Sequence, residues 1–191
     1  MAERRARWHA QFGGGEARSL VFVDESGADT RMTRLRGRSP VGERLLAHAP
    51  RGHYHTNTLI AAIRAEGVLA PCIFDGPING EAFLAWVRQK LAPCLGKGDV
   101  VVLDNLSSHK VAGVREAVES AGASLLYLPP YSPDYNPIES MWGKIKACLR
   151  SLSARSLDQL ISAFALALDS VSPSDCKRFF SMAGYDISFM E

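Results

Sequence analysis

Apolar residues along this chain form two kinds of pattern, unbroken runs and helical repeats, and their alternation predicts the order of elements. Leu20-Val21-Phe22-Val23 and Val100-Val101-Val102-Leu103 are unbroken, as expected of strands covered on both faces, and they stop at Asp24 and Asp104. Asn57 to Ile63 and Val68 to Phe74 flank Glu66-Gly67, a tight-hairpin pattern, so the three early strands are expected to be antiparallel. Asn79 to Leu91 sets Phe83, Leu84, Val87 and Leu91 on one helical face, and Pro93, Gly96 and Gly98 break the chain after it. Val111, Val114, Val118 and Ala121 predict a helix stopped by Gly122, with Ser124 to Leu128 as a short strand. From Asn136, the positions Ile138, Trp142, Ile145, Leu149 and Leu152 mark an amphipathic helix whose other faces carry Lys144, Lys146 and Arg150. Ser156 with Gln159 opens another helix, faced by Leu157, Leu160, Ile161, Phe164, Leu168 and Val171. Ser172-Pro173 ends that helix and begins a last one, closed by Gly184.

Three antiparallel strands, helix, strand, helix, strand and then helices fit an α/β, ribonuclease-H-like mixed sheet with flanking helices and a helical C-terminus. The 191 residues and 47% hydrophobic content suit one domain with a substantial core. Residues 1–18, polar and broken by Gly13-Gly14-Gly15, read as a flexible lead-in, and residues 19–191 as the domain. Cys72, Cys94, Cys148 and Cys176 form no C-x-x-C pair and are expected to be reduced core residues. No secretory signal or span of transmembrane length is evident, so a cytoplasmic protein without a membrane partner is expected. Net charge of +2 neither demands nor excludes nucleic acid, but its distribution is uneven. Arg31, Arg34, Arg36, Arg38, Arg44 and Arg51 face a single acid, Glu43, and read either as a solvated loop or as a phosphate-facing strip.

Carboxylates at strand ends can converge on one edge of a sheet, where open α/β folds bind ligands. With Glu139 near a helix start, Asp24 and Asp104 suggest a site for hard divalent cations. Each has a plainer reading: a strand-ending Asp is often a turn former. Asn136, Pro137 and Glu139 also make a capping-box pattern, compatible with a metal because the helix dipole keeps such a carboxylate ionised. Glu25 should point away from Asp24 if the strand runs through it, and Asp134, second to Glu139 as third acid, reads as a turn stabiliser. His109 could approach the same edge, although a helix-start or solvent-facing role is the plainer expectation. Trp8, Trp86 and Trp142 read as core or docking residues.

At these motifs the chain resembles transposases of bacterial insertion sequences in the Tc/mariner superfamily, whose catalytic domains carry an Asp, Asp, Glu triad. The likeness rests on Val21 to Gly27, on Val102 to Lys110, and on the Pro-Pro-Tyr-Ser-Pro-Asp-Tyr-Asn-Pro-Ile-Glu run ending at Glu139. It extends through Asp75 to Gly80 and Ala183 to Tyr185, and 34 residues separate Asp104 from Glu139, as that superfamily commonly shows. The resemblance implies metal-dependent DNA strand cleavage and strand transfer. Asp24 and Asp104 would hold two Mg²⁺ ions, with Mn²⁺ as substitute, and Glu139 would complete one shell. Asn105 and Asn136 would orient the carboxylates. Arg31, Arg34, Arg36, Arg38, Lys144, Lys146 and Arg150 would contact DNA at element ends and target. Relatives carry a helix-turn-helix region before the catalytic strands, so an upstream segment or partner is expected, with a homodimer in the active complex. The rival readings are a catalytically silent DNA-binding or regulatory remnant and a phospho-receiver domain; the latter leaves the run to Glu139 without a role.

Overall fold

Five strands make one mixed sheet in a computed structural model that describes residues 2–12, 17–34, 36–46, 48, 50, 54 and 56–187. The strands are β1 (Leu20–Asp29), β2 (Thr56–Arg64), β3 (Gly67–Asp75), β4 (Val100–Leu103) and β5 (Ser124–Tyr127), in the spatial order β3-β2-β1-β4-β5. β1, β2 and β3 are antiparallel, while β4 runs parallel to β1 and β5 parallel to β4. Helices are α1 (Ala2–Phe12), α2 (Gly80–Trp86), α3 (Val114–Ser120), α4 (Pro137–Leu152), α5 (Leu157–Asp169) and α6 (Pro173–Met182). From β1 onward the order anticipated from the hydrophobic pattern is the order observed.

Strand alternation divides the core in two. Leu20, Phe22 and Val102 face one layer, where Trp8 and Phe12 of α1, Ile138, Met141, Trp142, Ile145 and Leu149 of α4, and residues of α5 and α6 pack. Val21, Val23, Val101 and Leu103 face the other, against Phe83 and Trp86 of α2 and Val114 and Val118 of α3. Fully burying each large side chain contributes about 1.5–3 kcal/mol. The three tryptophans are buried, as expected.

Five details depart from the pattern. β1 does not stop at Asp24: Ser26 to Asp29 continue to pair with β2, and ladder hydrogen bonds carry a polar segment that apolar content alone would end. The segment expected to be a flexible lead-in contains α1, which buries Trp8 and Phe12. Those two residues, four apart, give too sparse a stripe for periodicity to reveal, and the helix is held by packing. Gly13-Gly14-Gly15 and Arg51 lie outside the described residues. α3 begins at Val114, not Val111, after Gly113 at φ 94, and the expected helix to Leu91 ends in a π turn over Val87–Leu91. Pro93, without an N–H, follows in a short 3-10 turn. All four cysteines are free, but Cys94 is exposed.

Candidate active site

The register of β1 on β4 brings the first two carboxylates together. Phe22 pairs with Val102, so two residues further along each parallel strand Asp24 and Asp104 come level at the sheet's carboxyl edge. Asp24 shares the parity of Leu20 and Phe22, the face covered by α4, and the first turn of α4 carries Glu139 over that face. Asp24, Asp104 and Glu139 line one cleft of about 470 Å³ with Asn105, Leu106, Asn136 and the loop from Leu128 to Pro133. Burial, together with the charge of Glu139, pushes the Asp24 carboxyl up to about 8. Negative groups thus crowd a half-buried edge.

Glu25 takes the opposite parity, as alternation requires, and meets His109. The His109 ring is fully buried, with Phe83 at 4.4 Å between centroids. Its Nε2 lies 2.8 and 3.0 Å from the two Glu25 oxygens. Its Nδ1 lies 2.7 Å from Asp104 Oδ1, a close ion-pair contact without the alignment of a hydrogen bond. Burial opposes the imidazolium, but Asp104 and Glu25 outweigh it and raise His109 to about 9. For Asp104, burial is overcome by His109 and by the Leu106 N–H, which donates to Oδ1 at 2.9 Å, so its carboxyl sits below the usual range. The solvent-facing reading of His109 is therefore corrected: it braces Asp104 from beneath. Its polar neighbours Ser107, Ser108 and Lys110 concealed this, because Phe83 and Glu25 reach it from distant segments.

The expected capping box at α4 does not form. Asn136 occupies the cap position and Pro137 the first turn, but the Asn136 side chain makes no cap bond and its Oδ1 is buried without a partner. Glu139 is exposed, its N–H meeting the Asn136 carbonyl at 3.2 Å. Asn105 also differs from its expected part, donating from Nδ2 to the Leu128 carbonyl at 2.6 Å and so tying the cleft loop to the sheet edge. Asp134 does not line the cleft. It is paired with Arg5, which also donates to Ser132 Oγ at 2.9 Å and lies over the Tyr135 ring, so α1 holds the loop wall.

The basic residues separate. Arg31, Lys146 and Arg150 share a second concavity, whereas Lys144 lies on another side of α4 with Nζ donating to Asp175 Oδ2 at 2.6 Å. Arg34, Arg36 and Arg38 are exposed outside regular structure.

Three oxygen-bearing acids match hard divalent cations, and the orphaned Asn136 oxygen in the same wall is a polar group that a cation or its water shell would satisfy. Among the described residues no three Asp, Glu, His or Cys side chains close into a tight ligand cluster. Mg²⁺ does not require one, since it is commonly bound through one or two carboxylates plus substrate phosphate. No described helix is long and apolar enough to cross a membrane.

A model of the DDE superfamily endonuclease family matches residues 19–161. The transposable element Tcb1 transposase of Caenorhabditis briggsae is 27% identical over 115 residues, covering 54% of this chain and 41% of that protein. The Mos1 mariner paired end complex with Mn superposes with a TM-score of 0.75 at 14% identity, over 95% of this chain and 57% of that one. The Mos1 transposase catalytic domain with raltegravir and Mn gives 0.67 at 14% identity, over 95% of this chain and 88% of that one. The mixed sheet and its flanking helices are thus the ribonuclease-H-like fold expected, and the Tc/mariner resemblance is borne out. The chain spans about half the length of the fuller relatives it matches.

Proposed function

This chain belongs to the DDE superfamily endonuclease family, and from that premise we propose that it is the catalytic part of a transposase, cutting DNA strands and joining them to target DNA. One observation carries the reading: Asp24, Asp104 and Glu139, from three separate elements, line a single open cleft at the strand ends. Asp24 and Asp104 would hold two Mg²⁺ ions, or Mn²⁺ in their place, and Glu139 would complete the shell of one. Bound there, the ions would activate the attacking oxygen and stabilise the leaving one during in-line phosphoryl displacement.

The chain's own residues set the conditions for that chemistry. His109 and the Leu106 N–H commit Asp104 Oδ1 inward, leaving Oδ2 for the cleft. Asn136 adds a neutral oxygen, Asn105 fixes the wall it bonds, and Arg5 holds the loop that limits the opening. Arg31, Lys146 and Arg150 would contact DNA phosphates, with the exposed Arg34, Arg36 and Arg38 adding salt-sensitive attraction. A water would cut first, releasing a 3′-hydroxyl that then attacks target DNA. Recognition of element ends would come from a helix-turn-helix region, in the same polypeptide or in a partner, and joining two ends calls for a homodimer.

Nicking of supercoiled DNA in Mn²⁺ tests the reading, with Asp104→Asn and Glu139→Gln purified alongside. Activity in the wild-type chain and its loss from both variants is expected. Equal nicking by all three would refute the assignment of these acids.

A further inference from the structure

Among the described residues, three that are not glycine hold positive φ: Ala70, Tyr131 and Ser153. Two of them have a structural use. Ser153 caps α4 in the left-handed conformation, its N–H meeting the Leu149 carbonyl at 3.0 Å. The Ala70 carbonyl accepts from Trp86 Nε1 at 2.9 Å, where the register of β3 on β2 shifts. Tyr131, at φ 55, follows Pro130 in the turn after β5, a place that glycine fills without strain. Its side chain is 85% exposed, so no packing compensates the strained backbone. Strain held without packing directs attention to what the ring does for the cleft.

The turn is fixed from outside the cleft. Arg5 Nη1 donates to the Tyr131 carbonyl at 3.3 Å and to Ser132 Oγ at 2.9 Å, and Arg5 pairs with Asp134. Pro129, Pro130 and Pro133 set φ on both sides of the ring. Tyr131 is thereby presented on the wall of the cleft that Asp24, Asp104 and Glu139 line. Leu106, also exposed, adds a second apolar side chain to that cleft from the loop after β4. A phosphodiester at the acids carries a base on the adjoining sugar, and a nucleobase is the flat group that an exposed aromatic ring stacks upon. Inside a continuous duplex both faces of each base are covered by its neighbours. A base offers a free face only at an end or where it is unpaired.

We propose that Tyr131 is a specificity-determining residue whose ring stacks on one unpaired nucleobase beside the phosphodiester at the carboxylates. The cleft then takes DNA already opened at that nucleotide in preference to continuous duplex. The position of the phosphodiester rests on the cleavage reading above. The ring face makes the contact, so the phenol hydroxyl is dispensable.

Equilibrium binding to the whole chain in EDTA tests this, with a labelled duplex and the same duplex forked by two mismatched pairs at one end, so that both carry equal numbers of phosphates. The wild-type chain should favour the forked DNA roughly 5- to 150-fold, the range for one stacked base. Tyr131→Ala and Tyr131→Gly should abolish that preference while changing affinity for the paired duplex less than twofold, and Tyr131→Phe should keep it. The slope of log affinity against log salt should be the same in all four proteins, because the substitutions remove no charge. Circular dichroism checks folding, and Tyr131→Gly, relieved of the strain, should melt no lower than the wild-type chain. No forked preference in the wild-type chain, a preference that survives both Tyr131→Ala and Tyr131→Gly, or its loss in Tyr131→Phe would overturn the assignment. Wild-type nicking without a forked preference would reject the stacking and spare the cleavage reading. A forked preference that depends on Tyr131, without wild-type nicking, would do the reverse.

Discussion

The two faces of the sheet meet at the same edge and contribute differently to it. The face covered by α1, α4, α5 and α6 presents Asp24 and Glu139 to the cleft, above the apolar packing of Phe22, Ile138 and Trp142. The face covered by α2 and α3 presents nothing comparable to the cleft, but it buries His109 against Phe83, between Glu25 and Asp104. One face therefore exposes charge, and the other braces it. The contrast shows why adjacent acids on one strand, Asp24 and Glu25, have unlike roles: alternation sends them to opposite faces.

The largest effect should come from breaking the exposing side. Asp104→Asn and Glu139→Gln should each lower Mn²⁺-dependent nicking roughly 100-fold or more, while melting within a few degrees of the wild-type chain. A variant that nicks normally would remove its acid from the site. Breaking the bracing side should register as stability. His109→Ala leaves Glu25 beside Phe83 without its partner, and removing one member of a buried pair should cost about 2–4 kcal/mol in urea unfolding. Glu25→Gln in the same chain should recover part of that loss, giving a coupling that a double-mutant cycle reads. A wild-type urea midpoint for His109→Ala would show that the brace carries no load.

Legibility from sequence followed the same division. The apolar runs ending at Asp24 and Asp104 are local signals, and they located the edge even though β1 continues to Asp29. The runs lose their apolar character at the level where β4 ends, so the pattern reports the end of two-sided cover and not the end of the strand. His109 carried no such signal, because Glu25 and Phe83 are brought to it only by folding. The α4 cap was misread for a related reason: its residue types satisfy a capping box, but the Asn136 oxygen is buried in the cleft wall with no cap bond. Lys144 and Lys146, two residues apart, read alike in sequence, yet helical rotation gives one to Asp175 and the other to the basic concavity.

A smaller effect distinguishes the dry packing of the first face. Burial, reinforced by the charge of Asp175, pushes the Cys176 thiol up to about 11. Because the folded value is raised, its stabilisation is complete below the unfolded thiol value near 8.5 and is lost as pH rises through 11. The loss should approach about 2–3 kcal/mol, so urea unfolding between pH 8 and 11 should weaken more steeply in the wild-type chain than in Cys176→Ala. Parallel pH profiles would rule out the thiol as the source.

The smallest effect separates packing from access on α4 itself. Its buried stripe, Ile138, Met141, Trp142, Ile145 and Leu149, holds the helix to the sheet, while Gly143 lies on the open stripe with Glu139, Lys146 and Arg150. A glycine inside an exposed helix is unfavourable relative to alanine, so Gly143→Ala should stabilise the fold by about 0.5–1 kcal/mol. For a chain of this length that corresponds to a melting-temperature rise of roughly 1–4 °C. Such a gain would mean that this position is open and that packing does not require glycine there. A fall in melting temperature would instead show that the backbone at Gly143 needs glycine.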